Sequence, residues 1–339
     1  MLIRLLVKAA VLLLLSGCVF AVSAADWVSP GSGTNQLLWG IHGGLHWAVA
    51  PAGFRGSEPR GLIRLGSPIL ANGGYDLVNF IAIEPIVNGR RAFSELERSQ
   101  LDGVPGKRIW TENAGGVLRM NLRPDSARQG TNVEESLEVT LKIEPFENGA
   151  HVRLVVRQYS NHPDEIELSV FQEQDSKPME YCILTATMGN MARARQLWLG
   201  GKMVSSLQLY RDYKDSGFAS HQRYALPELH RTTAGGVLVA VTCDELNPAQ
   251  IHPFAGSEHW HFAGCKVTQY WAKSPGTFQN DLTAIVNGRY TYWRSTQPIP
   301  GGVAFENFEL GERFQAGQKS VFGITRRTPQ ELGFTAASH

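Results

Sequence analysis

SLEVTLKIEPFENGAHVRLVVRQYSNHPDEIELSVFQE, residues 136–173, is the stretch that decides the fold class. Leu137, Val139, Leu141 and Ile143 recur at every second position, the period at which a strand presents one face. EPFENG then supplies turn chemistry. Val152, Leu154 and Val156 repeat the alternation with Arg153 and Arg157 on the opposite face. SNHPDE reads as a second turn, after which Ile166, Leu168 and Val170 alternate with Glu165 and Glu167. The segment is an antiparallel meander with one apolar face. Arg153 and Arg157 are expected to face Glu165 and Glu167 across the second hairpin, as a solvated charge ladder and not as a ligand site.

The same grammar extends outward. Asn-Gly begins at Asn72, Asn88, Asn148 and Asn287, and Gly-Gly at Gly43, Gly73, Gly115, Gly200, Gly235 and Gly301. These dipeptides tolerate the positive backbone angles of tight hairpins, and they punctuate apolar runs throughout the chain. Further strands are expected near 61–66, 77–87, 107–111, 116–122, 181–187, 203–210, 237–242, 265–272, 281–294, 302–310 and 317–325. Short helices are expected only at Ser94–Gln100 and Gly189–Leu197. Residues 26–60 read as a loop-rich lead-in. The expectation is an all-β protein, a large antiparallel β-sandwich with few short helices and a helix content below about 15%. It forms one domain over 26–334, with 335–339 as a tail.

Residues 1–25 read as an export signal. Arg4 and Lys8 precede the apolar run Ala9–Leu15, and two processing patterns follow. LSGC at Leu15–Cys18 is a lipobox, and VSA at Val22–Ala24 is a small-x-small cleavage site. The expected location is periplasmic or extracellular, either soluble or anchored through a lipid on Cys18.

The chain has 339 residues, 43% of them hydrophobic, and a formal net charge of +1. This near-neutral balance leaves no electrostatic footprint for nucleic acid or an anionic membrane, so membrane association is expected only through Cys18. Of four cysteines, Cys182, Cys243 and Cys265 lie beyond the signal, which allows at most one disulfide; a chain this long can fold on its core with buried thiols. Serine-hydrolase elbow, P-loop, dinucleotide fingerprint and EF-hand loop are all missing, and no cofactor is expected.

Four segments gather chemistry-bearing residues. In LLWGIHGGLHWAVAPAGFRGSEPRG, from Leu37 to Gly61, His42, Trp47, Arg55 and Arg60 are candidate substrate contacts, since rings stack on sugar faces and guanidinium forks grip carboxylates. In SEHWHFAGCKVTQYW, from Ser257, His259 and His261 share one strand face; a metal would need a third ligand, and no metal is expected. In RYTYWRSTQPIPGGVAFENFEL, from Arg289, Tyr290 lies on one strand face and Arg289 on the other. Glu306 and Glu309 there sit on opposite faces among apolar neighbours, a setting that raises proton affinity and suits acid–base work. Either carboxylate could equally be the buried partner of an arginine. In LYRDYKDSGFASHQRY, from Leu209, His221 and Arg223 stand among tyrosines, a combination able to hold an acidic sugar and to drive β-elimination beside its carboxylate. The candidate catalytic set is therefore His221, His259, His261, Tyr290, Glu306 and Glu309. The candidate binding set is His42, Trp47, Arg55, Arg60, Arg223 and Arg289.

Three motifs carry a resemblance. VRQYSNHPDEIELSVF, the IHGG at Ile41–Gly44 and the late ENFEL strand resemble the galactose mutarotase-like β-supersandwich found in sugar epimerases and in some polysaccharide lyases and glycoside hydrolases. The resemblance implies a substrate histidine at His42 and a late glutamate base at Glu306 or Glu309. The second histidine of those epimerases sits in an NHxYFN segment; here Asn161-His162 is followed by Pro163-Asp164, which reads as a bare turn. The expected ligand is a carbohydrate. The expected function is lyase or epimerase-type chemistry on a sugar or uronate-containing glycan, or non-catalytic glycan binding as an envelope protein.

Overall fold

The computed structural model describes residues 25–31, 37–51, 60–70, 72–125, 130–188, 193–244, 252–253, 261–262, 267–292 and 295–335. Strand makes up 51% and helix 3%, in two large antiparallel sheets. The ten-stranded sheet runs in the order Trp27–Val28, Leu37–Ile41, His46–Val49, Leu62–Ser67, Asp76–Val87, Tyr181–Thr187, Ala304–Gly311, Thr283–Arg289 and Gln222–Ala225, with Arg90–Arg91 paired to Asp76–Val87. The eleven-stranded sheet runs Lys202–Ser205, Ala194–Leu199, Val237–Cys243, Thr268–Lys273, Gln318–Thr325, His162–Gln172, Val152–Tyr159, Gly130–Ile143 and Ile109–Trp110. His230–Arg231 and Val117–Asp125 pair onto its flanks. A separate pair joins His252–Pro253 to His261–Phe262.

The two sheets enclose one contiguous apolar cluster. The alternating residues of the meander, from Leu137 to Val170, all lie in it, as the period-2 pattern requires. Across the gap, Trp271 of one sheet donates its indole N–H to the Phe308 carbonyl of the other at 2.8 Å. Asn79 likewise reaches Gln269 at 2.7 Å. Two polar ties of this kind keep the sheets in a fixed offset, because each would leave a buried group unsatisfied if the sheets slid.

Several expectations are corrected. Within the expected lead-in, the described residues hold three short strands, Trp27–Val28, Leu37–Ile41 and His46–Val49, which form the edge of the ten-stranded sheet, with Trp39 and Trp47 stacked in the core at a centroid distance of 4.5 Å. Ser94–Gln100 is a turn, pinned where Ser99 donates to Glu144 at 2.7 Å; hydroxyls that bond locally or across a loop compete with helix. Ala194–Leu199 is a strand, and helix appears instead at Ser206–Leu209, inside an expected strand. His162, Pro163 and Asp164 belong to a strand, and the second turn closes tightly at Ser160-Asn161. Arg157 does meet Glu167, at 3.1 Å, but Arg153 stacks on Phe171 and pairs with Glu173, while Glu165 accepts a hydrogen bond from Tyr270. Cys182 is a buried free thiol, and Cys243 is buried as well. Cys18 and Cys265 lie outside the described residues.

Candidate functional site

The face of the ten-stranded sheet that turns away from the core is polar along its central strands. Register places Ala82, Thr185, Glu309, Ile285 and Arg223 side by side on that face. One step along, Thr187 stands opposite Asn307, and Glu84 lies two residues from Ala82 on the same face. A face with this composition would normally be solvated, yet Glu84, Thr185, Asn287 and Glu309 are at most 3% exposed.

Two backbone devices build the cover. The Asn88-Gly89 hairpin turn has positive φ at both residues, 50° and 71°, the geometry of a tight two-residue turn. It folds Arg90–Arg91 back so that Arg91 pairs opposite Ile86 and reaches Glu84. Beyond it, Ser94 stitches the following segment down. Its hydroxyl donates to the Gly61 carbonyl at 2.5 Å and accepts from the Ile83 N–H at 2.9 Å. A Cβ on Gly61 would lie 1.9 Å from the Ser94 carbonyl oxygen, so only glycine permits this approach.

The result is a dry ionic cluster. Arg91 donates through Nε to Glu84 and through Nη2 to Glu309 Oε2 at 2.7 Å. Thr185 donates its hydroxyl to the same Glu309 oxygen at 2.5 Å. Glu309 Oε1 has no hydrogen-bond partner among the described residues. Burial pushes the Glu84 carboxyl up to about 8, against the pull of Arg91 and with help from Glu95 and Glu309. Glu95, desolvated beside them, is pushed up to about 7. At neutral pH the Glu84 carboxyl is therefore mostly protonated.

His221 borders this cluster from the edge strand. Desolvation lowers its pKa; Glu309 opposes that shift, and Arg91 and Arg223 add to it. Asn307 N–H donates to Asn287 Oδ1 at 3.1 Å, which fixes the amide so that Nδ2 faces His221 Nε2 at 3.3 Å. An amide nitrogen can only donate, so Nε2 is the acceptor and the neutral ring carries its proton on Nδ1. His221 and Arg223 are exposed. The arrangement thus offers a neutral imidazole, a solvent-facing guanidinium and an anchored carboxylate along one sheet face, which is a set able to move a proton beside a bound anion.

The other sequence candidates are placed as follows. Glu306 is buried next to Arg289, with Oε1 unpartnered among the described residues, and burial pushes its carboxyl up to about 7. A register shift between Val286 and Gly288 lies opposite it, so strict alternation does not govern its direction. Arg289 donates to the carbonyls of Thr291, Ser216 and Tyr292 and lies 4.9 Å from the Phe218 ring centroid, which makes it a clamp for its own loop. Tyr290 packs against the core, its carbonyl accepting from Ile299 N–H at 2.7 Å. Trp47 is wholly buried and has no ring face to offer a ligand. Arg60 forks onto Asp102 at 2.7 and 2.8 Å and also holds two backbone carbonyls. His42 is exposed at a hairpin turn, 4.0 Å from Asp26. The adjoining strand His46–Val49 lies six strand steps from the one after His221, about 29 Å along the sheet at about 4.8 Å per step. His261 is in a strand but its side chain, like Arg55 and His259, lies outside the described residues.

The chain brings together His221, Arg223 and Glu309 from the sequence candidates, and adds Glu84, Arg91, Thr185 and Asn287. Glu84 carried a usable signal, a lone carboxylate inside the apolar strand DLVNFIAIEPIV. Comparison with protein-family models gives no match. Comparison with curated proteins gives none either.

Proposed function

We propose that this is an exported carbohydrate-active protein whose reacting site is the polar face around His221, Arg223 and Glu309, and that it acts on a uronate-containing glycan by acid–base chemistry. The observation that carries the reading is the neutral, oriented His221 beside an exposed Arg223 and a carboxylate held by Arg91 and Thr185. In this scheme Arg223 engages the uronate carboxylate, the Asn287 amide gives up His221 Nε2, the one ring nitrogen with a lone pair, and Nε2 takes the proton from the adjacent carbon. The electron pair left behind forms a carbon–carbon double bond as the neighbouring C–O bond breaks, and the imidazolium returns its proton to the leaving oxygen. Within the buried cluster behind His221, Glu309 favours the imidazolium while Arg91 opposes it, so the ring rests neutral and ready to accept a proton.

A non-catalytic glycan binder, or an envelope lipoprotein held by Cys18, needs a shelf of aromatic rings instead. Trp39, Trp47 and Trp271 are within 1% of full burial, so three of the eight tryptophans serve the core and are not part of such a shelf. This favours the enzymatic reading. Export itself rests on the signal at residues 1–25.

The test is a panel of uronate-containing and neutral glycans, assayed for binding and for ultraviolet absorbance of unsaturated products. His221→Ala is expected to reduce turnover by more than about tenfold, the equivalent of about 1.4 kcal/mol, with an unchanged melting temperature because the side chain is exposed. Binding without any product, unaffected by His221→Ala, would leave the binder reading in its place.

A further inference from the structure

A second feature lies on the other sheet. An open cleft of about 710 Å³ sits at the end of the eleven-stranded sheet, between the turn near Leu101, the strand ends at Trp110 and Lys142, and the segment Glu173–Asp175. Its volume falls within the range of small-ligand sites. Trp110 is half-buried along one wall, and Leu101 remains 65% exposed beside it. An apolar side chain left in solvent next to a tryptophan leaves an apolar wall uncovered.

The polar groups around that wall are engaged with one another. Lys142 meets Glu112 at 2.6 Å, His151 meets Asp175 at 2.6 Å and Arg153 meets Glu173 at 3.3 Å. Glu144 accepts from Ser99 and from the Gln100 N–H with its two oxygens. Both cations are engaged and Glu144 adds negative charge held by neutral donors, so the cleft has no strong pull on an anion. His151 engages Asp175 through Nδ1, and its Nε2 is the other polar atom of the ring. Donors and acceptors side by side at the rim of an aromatic wall match vicinal hydroxyls above the C–H face of a sugar ring.

We propose that this cleft is a second glycan subsite that holds a neutral sugar residue and carries out no chemistry. It stands apart from the reacting face and does not depend on the acid–base reading. A site for a uronate would need an unpaired cation, and here Lys142 and Arg153 are both engaged. In a glycan that mixes neutral and uronate residues, the two sites would divide the recognition between the sheets.

The probes are cellohexaose, maltohexaose, xylohexaose and mannohexaose, with tetragalacturonate as the anionic control, titrated into the full chain by calorimetry with tryptophan fluorescence alongside. At least one neutral hexaose is expected to bind, and Trp110→Ala to weaken it by about tenfold or more. Asp175→Ala, at an exposed position that does not threaten folding, is expected to weaken it by about threefold. His221→Ala should leave the same titration within about twofold. If no neutral hexaose binds below about 10 mM, or if binding survives Trp110→Ala and Asp175→Ala, the proposal is overturned. It is also overturned if His221→Ala abolishes the signal, since the sugar would then sit on the reacting face.

Discussion

Both sheets carry arginine–glutamate clusters on their outer faces, built from the same residue types at the same strand period, and the two behave differently. On the eleven-stranded sheet, Arg119, Glu138, Arg157, Glu167 and Lys319 form a ladder with distances of 2.6–3.3 Å that remains in contact with water. The arginines outside and the carboxylates between them alternate in sign, so Glu138 is held below its usual range, chiefly by the hydrogen bond from Arg119. On the ten-stranded sheet, Glu84, Glu95 and Glu309 share Arg91 in a covered space, and Glu84 moves the opposite way, up to about 8. The lesson is that residue identity does not set the chemistry. Cover and the ratio of carboxylates to cations do, because desolvation penalises the charged form and a single guanidinium cannot offset two buried carboxylates.

The largest expected effect separates the two clusters by stability. Arg91→Ala leaves buried carboxylates without their cation and should cost about 3–5 kcal/mol in chemical denaturation. A loss below about 1 kcal/mol would mean that water enters this face, and the contrast between the sheets would collapse.

The second effect is a pH dependence. The folded-state pKa of Glu84 is raised from an ordinary 4.5 to about 8. Below 4.5 both folded and unfolded chains hold the proton, and its contribution to stability is fully present. Above that the unfolded chain releases the proton while the folded chain keeps it, so stability falls as pH rises and the contribution is lost by about 8. Glu84→Gln should flatten the decline between about pH 5 and 8, and make the variant the more stable protein at the alkaline end. An unchanged slope would place the titrating group elsewhere, with Glu306, pushed up to about 7, the next to substitute.

The smallest effect belongs to the solvated ladder. Arg157→Ala should cost about 1 kcal/mol or less, because Arg119 and Lys319 still neutralise Glu138 and Glu167. That cost should shrink further at high salt. A loss as large as that of Arg91→Ala would show that exposure does not distinguish the faces.

How much of this was legible in the sequence follows from how local each signal is. The strands of the meander were legible, since Leu137 to Val170 alternate within strands long enough to show a period, while the bounds of its second turn and the partners of Arg153 and Glu165 were not. The first three strands were hidden because they span 2, 5 and 4 residues, too few for alternation to emerge from a glycine-rich run. Ala194–Leu199 was mistaken for helix because ARQL favours helix locally, and pairing with Val237–Cys243 overrides that preference. The site was legible in part. His221, Arg223 and Glu309 stood out as polar residues in aromatic company. Their convergence depends on strand order, Asp76–Val87 beside Tyr181–Thr187 beside Ala304–Gly311, which brings together positions more than a hundred residues apart. Glu84 and Arg91 become meaningful only through that order. Trp47 and Arg60 failed as ligand contacts for the converse reason, since a sequence does not reveal that a ring will stack in the core or that Asp102 will lie within 2.7 Å.

The central claim is that a glycan reacts at the exposed border of the polar face of the ten-stranded sheet, at His221 and Arg223. The most direct measurement is a crystal structure of the protein in complex with tetragalacturonate. The account predicts a uronate carboxylate on the Arg223 guanidinium, with the adjacent ring carbon within reach of His221 Nε2 and the Asn287 amide displaced from that nitrogen. A uronate seated in the Trp110 cleft, or one bound elsewhere with His221 and Arg223 untouched, would contradict it.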